Sequence, residues 1–190
     1  MSTNNGRSGI ATDATGHDPV VSMLDARALR AAFGKFATGV TVLTVGGPAP
    51  RGMTANSFTS VSLDPPLVLA CVDRDANMHA SLQAAGSFGV SVLAADQEPV
   101  ARHFANRGRA PGLAQFETVG WQPGLQTGAP LIRGAIAWFE CRLWDTYDGG
   151  DHSIFVGRLL SATRPDPSAA EPEALLFYGG RFHRLPRPPG

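Results

Sequence analysis

At 190 residues the chain has the length of one ordinary domain, enough to bury a core without a metal or a disulfide framework. Sixteen basic residues balance sixteen acidic ones, so the broad positive field that holds a phosphate backbone is missing and nucleic acid is not expected as a partner. Cys71 and Cys141 lie in apolar runs and form no CxxC, which fits reduced core thiols and a cytoplasmic setting better than disulfides or zinc.

The opening residues, MSTNNGRSGIATDATGHDPVVS, contain neither a basic region nor an apolar stretch of signal-peptide length. Their Gly, Ser, Thr, Asn and Asp content predicts a mobile tail over 1–22, with one domain over 23–186 and a second short tail over 187–190. No segment is long and apolar enough to span a membrane, and no period repeats along the chain.

Asp25 can cap a helix whose apolar residues Leu29, Phe33 and Phe36 fall at i, i+4 and i+7, with Gly39 ending it. GVTVLTV (39–45) reads as a strand, and the turn chemistry of GGPAPRG (46–52) closes a hairpin into the next. PLVLACV (66–72) has no polar face, as expected of a strand covered on both sides. DRDANMHASLQAAGS then predicts a helix capped by Asp75 or Asn77, burying Met78, Leu82 and Ala85 and ending at Gly86.

FGVSVL (88–93) is the next strand, QEPVARHFAN (97–106) a short helix with Pro99 in its first turn, and 107–130 a Gly/Pro-rich loop. LIRGAIAWFECRLWDTY (131–147) and HSIFVGRLLSAT (152–163) read as long strands joined by the turn DGGD. LLFYGGRFHRL (175–185) reads as two short strands about Gly179 and Gly180. Six or seven strands against two or three short helices predict a mainly β fold, a β-barrel with helical excursions.

Familiar catalytic signatures are absent. HExxH, GxGxxG, GxSxG and the P-loop do not occur, and the five histidines lack ligand spacing. Lys35 is the single lysine. What stands out is Thr54, Asn56, Ser57, Thr59, Ser60 and Ser62, six hydroxyl or amide groups beside Gly52 and directly before the apolar strand. Such a segment can serve a polar heterocycle, or it can be a Ser/Thr-rich edge strand. Arg74, at the start of the second helix, can hold a phosphate with Asn77 and Ser81, or be a solvated loop cation.

FATGVTVLT, GMTANSFTSVSLDPPLVLACV, FGVSVL, GDHSIFVGRL and LLFYGGRF occur in the order and spacing of the flavin reductase-like family, and over about residues 25–185 the chain resembles it. The resemblance implies an FMN-binding split barrel of Greek-key-like antiparallel strands. It also implies a homodimer, hydride transfer from NADH or NADPH to FMN or FAD, and release of reduced flavin to a partner flavin-dependent monooxygenase. By the same resemblance Thr54, Ala55, Asn56 and Ser57 would line the isoalloxazine, and Ser60, Val61 and Ser62 the ribityl and phosphate region. Cys71, Val72 and Arg74 would continue the phosphate side, with Asn77 and Ser81 near it.

Phe104 would flank the flavin. His152, in the G-D-H turn of Gly150, Asp151 and His152, would sit near the nicotinamide as the catalytic residue, with Tyr178 at the same mouth. Arg51, Arg107 or Arg109 could meet a 2′-phosphate or be loop cations, so NADH and NADPH both remain open. A split-barrel oxidase of pyridoxamine-phosphate-oxidase type, and a non-catalytic flavin or haem carrier, are the alternatives.

Overall fold

The computed structural model describes residues 25–163 and 173–185. Both expected tails lie outside the described residues, as do the extreme ends of the expected domain.

Helix α1 (Ala26–Phe33) begins where Asp25 accepts the N–H of Arg27 at 2.7 Å. It stops at Gly34 rather than Gly39, because two tight turn bonds unwind it and Thr38 and Gly39 leave to pair with Phe177 and Leu176. The expected apolar face does not reach the core: Phe33 and Phe36 are 70% and 77% exposed. Strand β1 (Thr38–Gly39) leads into β2 (Thr41–Val45), buried along its whole length, and the hairpin turn returns the chain in β3 (Arg51–Ala55).

Strand β4 (Thr59–Leu63) pairs with β5 (Pro66–Asp73) in a second hairpin. The expectation that β5 is covered on both sides holds for one face. Val68, Ala70 and Val72 enter the core, while Leu67, Leu69 and Cys71 on the other face are half-buried, because among the described residues no layer lies fully across them. Helix α2 (Asn77–Ala85) buries Met78 and Leu82 and ends at Gly86 with φ +62°. Ala85 is exposed, and neither expected residue caps the helix: Ala76 is the N-cap, and Asp73 takes the N–H of Asp75 instead.

Strand β6 (Ser87–Val92) is followed by a 3-10 turn (Ala95–Gln97) and helix α3 (Glu98–Ala105), with Pro99 in its first turn. The region read as loop contains a 3-10 helix (Gly112–Phe116) and the short strands β7 (Trp121–Pro123) and β8 (Pro130–Ile132). The single strand expected over 131–147 is therefore two, broken where Gly134 turns with φ +79° before β9 (Ala137–Gly149) begins. β10 (His152–Thr163), β11 (Ala174–Tyr178) and β12 (Arg181–Leu185) follow the expected boundaries.

Seven strands form one antiparallel sheet in the order β3-β2-β6-β9-β10-β5-β4. Its two edge strands, β3 and β4, are consecutive in the chain and joined by only residues 56–58. Three residues span about 10 Å at most, so a sheet whose outer edges are tied that closely must curl into a barrel. Two register shifts between β9 and β10 bend the wall, and Gly157 lets Phe88 pack there: a Cβ would stand 2.5 Å from its ring. The barrel interior holds Leu43, Val68, Val72, Phe88, Val90 and Phe155. A second core joins β2, α3 and β11 through Val42, Leu93, Phe104, Phe116 and Leu175. The fold is the split barrel that the sequence implied.

Candidate functional site

The barrel closes at a seam between the end of β3 and β5, and there the polar run begins. Ser57 Oγ donates to the carbonyl of Cys71 and accepts its N–H, both at 3.0 Å. Thr54 Oγ1 donates to Ala101 O at 2.7 Å, tying α3 to β3, and Thr41 Oγ1 donates to Ala55 O at 2.9 Å. Two of the six polar side chains thus hold the frame, leaving Asn56 exposed on it.

Above the seam lies a cavity of about 460 Å³, within the usual range for small-molecule sites. One wall is Met53 with Thr54, Ala55, Asn56 and Ser57, and the next is Cys71 with Asp73 and the start of α2, including Asn77. The segment after α3 supplies a third wall with Arg107, Arg109 and Pro111, over Phe104; His152 stands at the rim. Eleven of the residues named from sequence therefore meet here: Arg51, Thr54, Ala55, Asn56, Ser57, Cys71, Asn77, Phe104, Arg107, Arg109 and His152.

The others do not line this cavity within one chain. Ser60, Val61 and Ser62 lie on edge strand β4, where Val61 is 49% exposed and Ser62 Oγ accepts the N–H of Asp64. Val72 points into the core, and Ser81 Oγ bonds back to Asn77 O. Arg74 serves the β9–β10 turn: its Nε donates to Gly150 O at 2.9 Å and its Nη2 meets Asp148 at 3.0 Å. Gly150 and Asp151 form that turn, and Asp151 holds His152 Nδ1 at 2.7 Å. Tyr178 stands on β11 by Lys35, beside a second hollow lined by Phe33, Phe36, Phe58 and Phe177. Gly52, expected beside a ligand, instead packs under Phe104, a Cβ there standing 2.5 Å from the ring.

Sequence reasoning missed Met53, Asp73, Asp75, Ala76, Met78, Ala105 and Pro111 as lining residues. The acidic pair between strand and helix was the available signal. Asp73 accepts the N–H of Asp75 and pairs with Arg107 at 2.8 Å, and these two contacts, in that order, hold its carboxyl below the usual range. Burial pushes the Cys71 thiol up, so it is a neutral wall group. Arg109 bonds to Asn106 O, Gly52 O and Gln115 Oε1, and lies 5.8 Å from the centre of the Phe104 ring. Burial, and then the neighbouring Arg51, depress its pKa. The Nε of Arg51 is buried, and among the described residues nothing accepts its N–H.

A half-polar hollow with a cationic end suits a planar heterocycle carrying phosphate, and no metal-binding cluster exists among the described residues. The profile of the flavin reductase like domain matches residues 33–186. An NADH-dependent FAD reductase of Streptomyces globisporus is 59% identical over 157 residues, covering 83% of this chain and 84% of that protein. The solved flavin reductase component of a bacterial two-component tryptophan halogenase is 62% identical, with a TM-score of 0.81, over 86% of this chain and 100% of that one. The reductase subunit of a Mycobacterium tuberculosis flavin-dependent monooxygenase is 35% identical over 85% of this chain and 83% of that protein. Barrel, seam and cavity all fall inside the matched span, and the chain belongs to the flavin reductase-like family.

Proposed function

We propose that this protein is an NADH-dependent flavin reductase that hands reduced flavin to a partner flavin-dependent monooxygenase. The observation that carries the reading is the cavity over the β3–β5 seam, inside a span 59% identical to an NADH-dependent FAD reductase. The residues present fit a flavin: Arg51 offers a buried N–H without a partner, the seam is rigid, and Asn56 is free to meet a polar ring edge. A flavin supplies the hydride-accepting ring, so no nucleophile is asked of the protein. That is why the usual catalytic signatures are absent.

The chain's own part is placement. Thr54, Ala55, Asn56 and Ser57 present the seam to the ring, and Phe104 backs it from the core. His152, aimed by Asp151, orients the nicotinamide at the rim or serves a proton there. Ser60, Val61, Ser62, Val72, Arg74, Ser81, Gly150, Asp151 and Tyr178 act outside this cavity or through it, since they do not line it in one chain.

A homodimer is part of the same reading. Phe33, Phe36 and Leu63 are 70%, 77% and 93% exposed, and the hollow between Phe58 and Phe177 shares Asn56 and Ser57 with the cavity wall. A second copy covering that face would complete the site from the far side of the seam. The free thiols fit a cytoplasmic setting.

The test is anaerobic mixing of the protein with NADH and FMN or FAD, following loss of the oxidised-flavin band. Rapid bleaching at catalytic protein levels is expected, and the FMN/FAD rate ratio gives the preference. Flavin binding without bleaching by NADH or NADPH would leave the carrier or the oxidase. Light scattering on the eluting protein should give twice the chain mass.

A further inference from the structure

Arg51, Arg107 and Arg109 all line the cavity, yet they differ in what faces them. Arg107 is matched by Asp73 at 2.8 Å. Among the described residues neither Arg51 nor Arg109 has a carboxylate partner. The lining carboxylates, Asp73 and Asp75, both stand at the α2 end, so the cavity is acidic there and basic at the far end of β3.

Arg109 is held in place by three acceptors, Gln115 Oε1, Asn106 O and Gly52 O. Gln115 is itself buried and fixed: it accepts the N–H of Gly52 at 2.8 Å and donates to Pro50 O and Gly112 O. The segment that carries Arg109 is thereby locked onto the strand that carries Arg51. Two guanidiniums are brought together in a partly buried place, one of them with a buried N–H that nothing accepts. Like charges so placed repel each other, and the arrangement is relieved by an anion between them.

We propose that Arg51 and Arg109 form an anion arm of the cavity that takes a phosphate group of a dinucleotide. The proposal rests on the reductase reading for the identity of the ligand. Arg51 and Ala55 lie at opposite ends of a five-residue strand, about 13 Å apart at the usual rise of a strand. A ligand with its ring at the seam must therefore extend well along β3 to reach the arm. The phosphate belongs either to the pyrophosphate of FAD or to the nicotinamide dinucleotide.

The experiment compares Arg51→Gln, Arg51→Lys and the unmodified protein by flavin fluorescence quenching with riboflavin, FMN and FAD, and by KM for NADH and NADPH. Arg102→Gln, which removes one positive charge from the Glu98 pair outside the cavity, controls for overall charge. Among the described residues nothing accepts from Arg51 Nε, so its replacement breaks no bond at that atom, and a thermal midpoint checks that the fold is kept. Arg51→Gln should weaken FAD, or raise the KM of a nicotinamide dinucleotide, by about tenfold or more, as loss of a charge-assisted bond does. Riboflavin should stay within about twofold, Arg51→Lys should recover most of the loss, and inorganic pyrophosphate should compete.

A loss confined to FAD assigns the arm to the flavin, and one confined to NADH or NADPH assigns it to the nicotinamide nucleotide. Unchanged values for every phosphate-bearing ligand, an equal loss for riboflavin, or an equal loss for FMN and FAD overturns the proposal. If the unmodified protein never oxidises NADH but FAD binding still responds to Arg51→Gln, the arm stands and the reductase reading falls. Turnover with no response removes the arm alone.

Discussion

Ser57 bridges the barrel seam with one hydroxyl, which pairs with both the carbonyl and the N–H of Cys71, each at 3.0 Å. Replacing Ser57 by alanine leaves two backbone groups of a half-buried strand without their partner. The cost is about 1–3 kcal/mol, and Tm should fall by on the order of 5 °C. Because Asn56 and Ser57 also wall the cavity, flavin affinity should fall with it. Calorimetry and fluorescence quenching on Ser57→Ala check both. A lowered Tm with unchanged flavin binding would confine the seam to a structural role.

Gly52 sets how closely β3 approaches α3. A methyl group there would meet the Phe104 ring at 2.5 Å, and that ring is fully buried between His103 and Phe116. Gly52→Ala must push the ring or the strand aside, at about 1–3 kcal/mol. The urea midpoint should drop with little change in slope. An unchanged midpoint would mean that the third cavity wall yields easily.

Glu140 is 4% exposed and does not line the cavity, yet it fastens the loop between β7 and β8. Its carboxylate accepts from Gln126 N, Thr127 N, Thr127 Oγ1 and Ser161 Oγ. Burial raises its pKa, but the four bonds together outweigh that, and the net shift is downward. A depressed pKa means stability that is complete above the unfolded value and lost as pH falls through the folded one. Glu140→Gln should therefore be clearly destabilised at pH 7, with the gap to the unmodified protein closing below about pH 4.3. Denaturation midpoints at pH 7 and pH 3 measure the gap; a gap of equal size at both would remove the carboxylate from the account.

The strands and the family were legible because hairpin turns and alternating runs are local signals. GGPAPRG and DGGD place β2–β3 and β9–β10 without tertiary information. The motif-bearing half of the cavity was equally visible, since Thr54, Asn56 and Ser57 crowd one stretch. The opposite wall was visible only as the loop cations Arg107 and Arg109, with no sign of where they lie. Arg109 and Pro111 come over the seam because Gln115, more than sixty residues from Gly52, binds that residue's N–H. No spacing in the sequence reports such a contact. The early end of α1 at Gly34 has the same cause, a pairing of Thr38 with Phe177 that outweighs local helix preference.

His152 is the one titratable ring at the cavity rim, and Asp151 holds its Nδ1 at 2.7 Å, so Nε2 is the atom left to meet a ligand. Removing the ring does not touch the seam or the arginine end, and flavin affinity in His152→Ala should stay within about twofold. Placement of the nicotinamide should suffer, because a small misplacement of reacting groups is enough to cost up to about a hundredfold in rate. Stopped-flow reduction under anaerobic conditions should show hydride transfer slowed by about tenfold or more, or an equal rise in NADH KM. Asp151→Asn keeps the shape but loses the charge that aims the ring, and should show a smaller part of the same defect. If His152→Ala reduces flavin at the normal rate with a normal KM, the ring is turn structure and placement falls to the walls alone.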